Sequence, residues 1–430
     1  MSNSLFSPNL RCEPYWWQAG PRPTDEAQDL PNAVDVLVVG SGYTGLHAAL
    51  RTARAGLSTL VVDADALGAG CSSRNGGQVS TSVKGDYLAL AGKYGPEQAT
   101  AMLGEGVEAL NFLETFIHDE AIECDWHRSG HFSGAHNPAA YDATAKRLSN
   151  LPKELGIQWH MVSASDQRSE IGSDRYFGGV VYPNNGALQP ALYHNELLAR
   201  VQSAGAQTIG HCRVDAIDKS GSGFVVRTSL GKVRAAKVAV ATNGYTGPVT
   251  AWQRRRIIPI GSYIIATEQV DESTAREIAP TGRTMTDSRR LVFYYRMHER
   301  RMIFGGRVAL SETDPLVSAP RLHTAMSEIF PQLSATPIEY SWLGFVGYTF
   351  DTLPHIGEEN GVHYAMGYCG SGISLSSYLG SIMGSQISGE TDRRSAFMDL
   401  KFPTRPLYSG TPWFLKPSIL YYKFRDQLNF

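Results

Sequence analysis

Gly40, Gly42 and Gly45 stand in the spacing GxGxxG, and Asp63 follows Gly45 by 18 residues, within VVGSGYTGLHAALRTARAGLSTLVVDAD (residues 38–65). In such a spacing the first glycine permits a tight turn, the second lets backbone approach a pyrophosphate, and the third lets a helix pack closely. The helix start, here Tyr43 and Thr44, then favours negative charge. A carboxylate ending the next strand, Asp63 with Ala64 beside it, accepts a hydrogen bond from a ribose hydroxyl and repels a 2′-phosphate. This is the chemistry of holding an adenine dinucleotide, and these residues alone do not separate NAD from FAD.

Three further glycine-rich stretches bear on that choice. GAGCSSRNGGQ (68–78) offers Ser72, Arg74, Asn75, Gly76, Gly77 and Gln78 just after the ribose-binding strand. KVAVATNGY (237–245) offers Ala241, Thr242, Asn243 and Gly244, and Val214 is a further candidate. YCGSGIS (368–374) places Gly370, Ser371, Gly372 and Ile373 where backbone N–H groups and a helix start could meet an anionic ring edge. Four separated backbone cradles suit an extended FAD better than NAD.

The elements that must position these residues follow from the pattern. VDVLVV is a short continuous apolar run expected for a doubly buried strand; LHAALRTARAG is a helix closed by Gly56, and STLVVDAD a second strand, which completes a βαβ unit. The ordered fold is expected to begin at Val34, after an irregular Pro-rich arm whose PYWW aromatics need burial. Residues 99–120 and 140–155 read as helices, 213–244 as a hairpin and a strand returning to the first sheet, and 257–346 as short alternating strands of an antiparallel sheet. GVHYAMGYCGSGISLSSYLGSIMGSQISG repeats the strand, glycine turn and helix of residues 35–55. A sheet faced with Tyr263, Phe293, Tyr294 and Tyr295 could wall a pocket.

Composition sets outer limits. A chain of 430 residues can bury a large core. Its net charge of −2 supplies no basic field for nucleic acid, and Arg254, Arg255 and Arg256 read as a solvated connection. No window approaches the ~18 apolar residues of a membrane helix, and the N-terminus lacks the pattern of a secretory signal. Cys12, Cys71, Cys124, Cys212 and Cys369 are scattered and odd in number, which disfavours disulfides and thiolate metal sites and points to a cytoplasmic setting. His127, His131 and His136 lack a ligand set at metal spacing, so no metal is expected.

Together these motifs resemble the FAD-dependent amine and amino-acid oxidoreductases of the D-amino-acid oxidase type, and within them the bacterial γ-glutamylputrescine oxidoreductase branch. The resemblance runs through the PYWW arm, VVGSGYTGL, GAGCSSRNGGQ, VAVATNGY, IPIGSYIIATE, VFYYRM, RMIFGGR, DTLPHIG and SILYYKFRDQL. It implies a Rossmann-type α/β FAD domain with a second, α+β substrate domain whose antiparallel sheet covers the flavin. The bounds expected on this basis are an arm over 1–33, an FAD domain over 34–90, 185–250 and 347–400, a substrate domain over 91–184 and 251–346, and a tail over 401–430 packing on the body.

The resemblance further implies oxidation of a C–N bond by hydride transfer to flavin N5, with O2 reoxidising the flavin to give H2O2 and with imine hydrolysis to an aldehyde or oxo acid. Burial in an aromatic pocket can lower an alkylamine pKa by up to ~3–5 units and so favour the neutral, reactive amine. The candidates for that wall are Tyr263, Tyr295, Trp342 and Phe345, with Gln78 near the ring; Arg289, Arg290, Arg296 and Arg307 are possible carboxylate anchors. SWLGFVGYTF contains no cysteine where some relatives attach flavin covalently, so FAD is expected to be noncovalent. The expected partners are a small amine, ω-amino or secondary and possibly γ-glutamylated, and O2, in a monomer or a homodimer, with neither nucleic acid nor membrane. An imino-acid or amino-acid oxidase or dehydrogenase of pipecolate or sarcosine type stays open, as does a non-catalytic flavin-binding scaffold.

Overall fold

Val36, Leu37 and Val38 are fully buried in the strand Ala33–Val39, the centre of a parallel core. Thr59–Val62 pairs on one side and Gly231–Val240 on the other, with Gln207–Ile209 beyond the first and Val362–Met366 alongside the second. A doubly buried position explains why the run reads as continuously apolar. The antiparallel strands Val214–Ser220, Gly223–Thr228 and His355–Glu359 complete an eight-stranded sheet. The structure, a computed structural model, describes residues 5–23, 29–307, 314–390 and 393–427.

Two strand-turn-helix units meet in this layer. Helix Tyr43–Arg54 follows the first turn and helix Gly372–Ile387 the last, and the two lie in close contact. Glycines allow the approach: a Cβ on Gly380 would stand 2.5 Å from the Thr44 carbonyl oxygen, and one on Gly384 2.7 Å from that of Ala48. Helices Pro96–Asp119 and Pro190–Ser203 join the same apolar cluster, where Met102, Leu110 and Leu113 lie with Leu197, Leu375 and Leu379.

The second layer is a nine-stranded sheet in the order Phe6–Arg11, Ile338–Tyr348, Ile258–Thr267, Arg301–Gly306, Phe293–His298, Thr284–Asp287, His131–Gly134, Gly179–Tyr182, His160–Val162. Its centre is antiparallel as expected, but two pairs are parallel: Phe6–Arg11 with Ile338–Tyr348, and Thr284–Asp287 with His131–Gly134. One face carries a core of Tyr263, Met285, Tyr295 and Phe304 covered by helix Pro315–Ile329. That helix was not expected within 257–346, because Pro315 and Pro320 mask its period.

The arm also departs from expectation. Order begins well before Val34: Phe6–Arg11 is a sheet strand, and a turn at Tyr15–Trp17 buries Tyr15 and Trp16 against Ile264, Tyr340 and Trp342. Among Arg254–Arg256 only Arg255 is exposed; the Arg256 guanidinium lies 3.6 Å from the Trp252 ring centroid and donates to the Phe402 carbonyl at 3.0 Å. Among the described residues no helix is long and apolar enough to cross a membrane.

The helix crossing gives a direct test. Gly384→Leu forces a side chain against Ala48 and is expected to cost about 1–3 kcal/mol in urea unfolding with an unchanged slope. Gly92→Ala, in helix Tyr87–Tyr94 with nothing within 4 Å of the added carbon, is expected to stabilise by about 0.5–1 kcal/mol.

Candidate active site

The two sheets enclose a cavity of about 1490 Å³. It exceeds the ~300–1,000 Å³ of an ordinary small-ligand pocket, as a dinucleotide with a substrate beside it would require. Its wall collects residues from all four glycine-rich stretches: Gly40, Gly42, Tyr43 and Thr44; Asp63 and Ala64; Ser72, Arg74, Asn75, Gly76 and Gln78; Val214, Ala241, Thr242 and Asn243; and Gly370, Ser371, Gly372 and Ile373. Gly45, Gly77 and Gly244 lie behind that wall. A Cβ on Gly45 would strike the Gly40 carbonyl, so the third glycine of the fingerprint sets helix against turn. Gly77 has φ +70° and backs on the Leu188 carbonyl, and Gly244 packs under the Phe345 carbonyl.

Each cradle is held in place. The Ser41 amide and hydroxyl donate to Asp63 Oδ2 at 2.8 and 2.6 Å, while Oδ1 accepts from the Asp65 amide at 3.2 Å. Burial pushes the Asp63 carboxyl above its ordinary range, although the Ser41 bonds pull the other way. The Tyr43 amide donates to Ser72 Oγ at 3.0 Å, and the Thr44 hydroxyl meets the Tyr368 hydroxyl at 2.6 Å. Three backbone carbonyls of residues 69–77 accept from side chains outside the loop. Trp16 Nε1 donates to Asn75 O at 2.7 Å, Trp342 Nε1 to Arg74 O at 2.8 Å, and Arg296 to Gly77 O at 3.0 Å. Gln78 Nε2 donates to the carbonyls of Met285 and Tyr295, at 3.2 and 3.1 Å, and ties the loop to the second sheet.

The sheet wall corrects the aromatic expectation. Tyr263, Tyr295, Trp342 and Phe345 do not line the cavity; Tyr294, Tyr245 and Tyr348 do. Alternation is the reason. Tyr295 pairs with Met285 and faces the core under helix Pro315–Ile329, whereas Tyr294 pairs with Thr286 and faces the cavity. Tyr263 points to that same core while its neighbours Ser262 and Ile264 reach the cavity. Trp342 shares the parity of Gly344, Val346 and Tyr348 but is capped by the aromatic arm, and Phe345 packs edge-on to Tyr245. The absence of a Cβ at Gly76 admits the Tyr294 ring, which would stand 3.1 Å from one.

The arginines separate in the same way. Arg290 and Arg307 line the cavity. Arg289 lies outside the lining and pairs with Asp287, which is part of it, and Arg296 is buried over Trp16. Burial pushes the Asp287 carboxyl up to about 6 against the pull of Arg289. His131 lines the cavity between the Thr284 and Thr286 hydroxyls, at 2.8 and 2.9 Å. His127 and His136 bond to the Asp125 carbonyl and Ser288, and no group of three or more His, Cys, Asp or Glu among the described residues could hold a metal. Cys71 and Cys369 both line the cavity, and burial pushes each thiol up to about 11. The lining also takes in residues that were not anticipated, among them Lys84, which no motif marks, and Phe414, Leu415, Ser418, Ile419 and Tyr422 of the C-terminal segment, the last three within SILYYKFRDQL.

Comparisons with known proteins agree with this geometry. A family model described as "DAO: FAD dependent oxidoreductase" matches residues 35–386. The chain is 30% identical over 401 residues to the gamma-glutamylputrescine oxidoreductase of Escherichia coli K12, covering 92% of this chain and 93% of that protein. It is 30% identical over 404 residues to a probable oxidoreductase, OrdL, of Haemophilus influenzae, covering 91% and 92%. Among solved structures, glycine oxidase from Geobacillus kaustophilus superposes with a TM-score of 0.72 at 16% identity, over 87% of this chain and 99% of that one. L-proline dehydrogenase from P. horikoshii gives 0.69 at 15%, over 90% and 99%.

Burial holds the His131 imidazole at a pKa of about 4, below the ordinary ~6.5, so the unfolded chain takes up its proton first as pH falls. Stability contributed at pH 7 is therefore lost between about pH 6.5 and 4, by up to about 3 kcal/mol. Urea unfolding across that window should show a shallower loss for His131→Asn than for the wild type.

Proposed function

The chain belongs to the DAO family of FAD-dependent oxidoreductases, and from that premise we propose that it oxidises a C–N bond of a small amine. The observation that carries this reading is the convergence of all four glycine-rich stretches and an aromatic sheet on one cavity. Gly40, Gly42 and Tyr43 would hold the pyrophosphate at the start of helix Tyr43–Arg54, and Asp63 a ribose hydroxyl. Residues 72–78 and 241–243 would lie along the cofactor, and Gly370–Ile373, at the start of helix Gly372–Ile387, would meet the anionic edge of the ring. The raised thiols of Cys71 and Cys369 are poor nucleophiles, which supports noncovalent attachment.

FAD, when bound, supplies a two-electron acceptor that dioxygen can regenerate. The overall change is then amine plus O2 plus water to aldehyde, ammonia or a smaller amine, and H2O2. The protein's part is to present the amine unprotonated and in place. Tyr294 and Tyr348 would stand at the substrate end as phenols that burial keeps protonated, and Tyr294 is fixed by Ser262 at 2.7 Å. In such a wall an ammonium loses hydration, and its neutral form gains. Buried Tyr295, Tyr263 and Trp342 back this wall and hold its strands. Arg290 and Arg307 in the lining favour a second reading, an imino-acid or amino-acid substrate.

Purified protein is expected to carry FAD that acid precipitation releases into the supernatant. One member of a panel of ω-amino and secondary amines should bleach it anaerobically, and admitting air should restore the colour with stoichiometric H2O2. Failure of every amine and amino acid to bleach it would leave the reading without support. Asp63→Ala is expected to weaken FAD binding by about 10-fold, from a lost charge-assisted hydrogen bond of roughly 1.5 kcal/mol, as read by the FAD retained on dialysis.

A further inference from the structure

Residues 401–430 hold five cations, Lys401, Arg405, Lys416, Lys423 and Arg425, against one acid, Asp426. A segment of net charge +4 in a chain of −2 is an asymmetry that the overall balance hides. The fold sets a second run of cations beside it, Arg254–Arg256. The Arg254 side chain covers Gly410, the Thr404 hydroxyl donates to the Arg255 carbonyl at 2.5 Å, and Arg256 donates to the Phe402 carbonyl at 3.0 Å. Arg255, Lys401, Arg405 and Lys416 are exposed. Of the acids close by, Asp351 pairs with His355, Asp399 pairs with Arg394, and Glu359 acts on Arg256.

The same segment is apolar on two sides. Phe402 and Tyr408 are buried and fix it to the body: Phe402 stacks on His355 at 4.1 Å, and the Tyr408 hydroxyl donates to the Ile257 carbonyl at 2.6 Å. In helix Leu415–Gln427, Leu415, Ser418, Ile419 and Tyr422 face the cavity. Lys416, Leu420 and Phe424 follow one another by single turns on the opposite side. There Leu420 is 54% exposed and Phe424 57%, with Trp413 just before the helix at 63% and Leu407 in the preceding loop at 89%. A helix that is hydrophobic all round is ordinarily covered on every side, and a group of bare aromatic and aliphatic side chains rimmed by charge marks an interaction surface.

Charge decides what covers it. Association about a twofold axis would set the basic patch against its own copy. Nucleic acid is anionic and stacks on aromatic rings, but it makes no use of exposed leucines. A bilayer surface takes leucine, tryptophan and phenylalanine into the headgroup boundary and meets lysine and arginine with its anionic phosphates. We propose that the outer side of helix Leu415–Gln427, with Leu407, Trp413 and the exposed cations around them, docks on an anionic phospholipid surface. The docking is peripheral and needs no spanning helix. It places beside the membrane the cavity whose wall the same helix forms, and it holds whichever amine is oxidised.

The test floats full-length holoenzyme with vesicles of phosphatidylcholine alone, or of phosphatidylcholine with an equal part of phosphatidylglycerol. The wild type is expected to float with the mixed vesicles, far less with the neutral ones, and to be released as salt is raised. Arg405→Gln combined with Lys416→Gln should weaken binding roughly 25-fold, from about a fivefold effect per charge. Leu420→Ser combined with Phe424→Ser should weaken it roughly 10-fold or more. Both double variants should keep the FAD content, flavin spectrum and melting temperature of the wild type, since all four residues are exposed and none lines the cavity. Brominated lipid should quench tryptophan fluorescence in the wild type and much less in Trp413→Phe, which still floats.

Equal flotation with neutral and anionic vesicles, or none with either, would overturn the proposal. So would anionic-vesicle binding that both double variants retain, which places the contact elsewhere on the molecule. A second copy as the true occupant would show as a concentration-dependent dimer in sedimentation, abolished by Leu420→Ser with Phe424→Ser, in a protein that ignores vesicles. A nucleic-acid surface would show as binding of a single-stranded oligonucleotide without quenching by brominated lipid. Either result overturns membrane docking.

Discussion

An irregular stretch set between two sheets, half-buried and partly out of reach of water, has to find hydrogen-bond partners for its backbone within the protein. Residues 69–77 are that stretch, and much of the molecule is arranged around them. Trp16 from the arm, Trp342 from one end of the second sheet and Arg296 from another strand each donate to a different carbonyl of the loop. Arg74 returns a bond to the Leu343 carbonyl at 3.3 Å, and Gln78 reaches the carbonyls of Met285 and Tyr295. The PYWW arm is therefore a set of donors and ring faces required by the loop, with Trp17 bonding Ser73 at 3.0 Å and stacking on Arg74.

The same demand explains the fate of the large aromatics. A tryptophan that must donate its N–H to a buried carbonyl is not free to face a ligand, and Trp342 is in that position. Tyr295 bonds Tyr176 at 2.7 Å and stacks on Phe304 at 5.3 Å. Tyr294, one residue earlier, is left to the cavity beside glycines that make room for it.

How much of this was legible in the sequence depended on how local the signal was. The first βαβ unit, the 214–240 hairpin and return strand, and the last strand-turn-helix were readable because glycines and apolar runs lie next to each other in the chain. That the strands over 257–346 alternate was readable too, but not which parity faced inward, since Tyr294 and Tyr295 are alike until the register with Thr286 and Met285 is known. Strand Phe6–Arg11 escaped because it pairs with Ile338–Tyr348, over 300 residues away. Lys84 escaped for a related reason: a lone lysine in a polar loop looks solvated until Asn185, Gly106 and Ser374 are brought against the preceding residues Ser80 and Thr81 and the loop joins the cavity wall.

The bond between Thr44 and Tyr368 spans 324 residues and joins the fingerprint turn to the glycine turn near the end of the chain, with the close approach of helices Tyr43–Arg54 and Gly372–Ile387 right behind it. Contacts so far apart in the chain carry a loop-closure cost that their own packing must offset. The cavity is complete only when the second half of the chain lies against the first. A ligand that binds there and not to the unfolded chain holds two distant segments of the polypeptide together, and so serves as a clasp against unfolding as well as serving the chemistry.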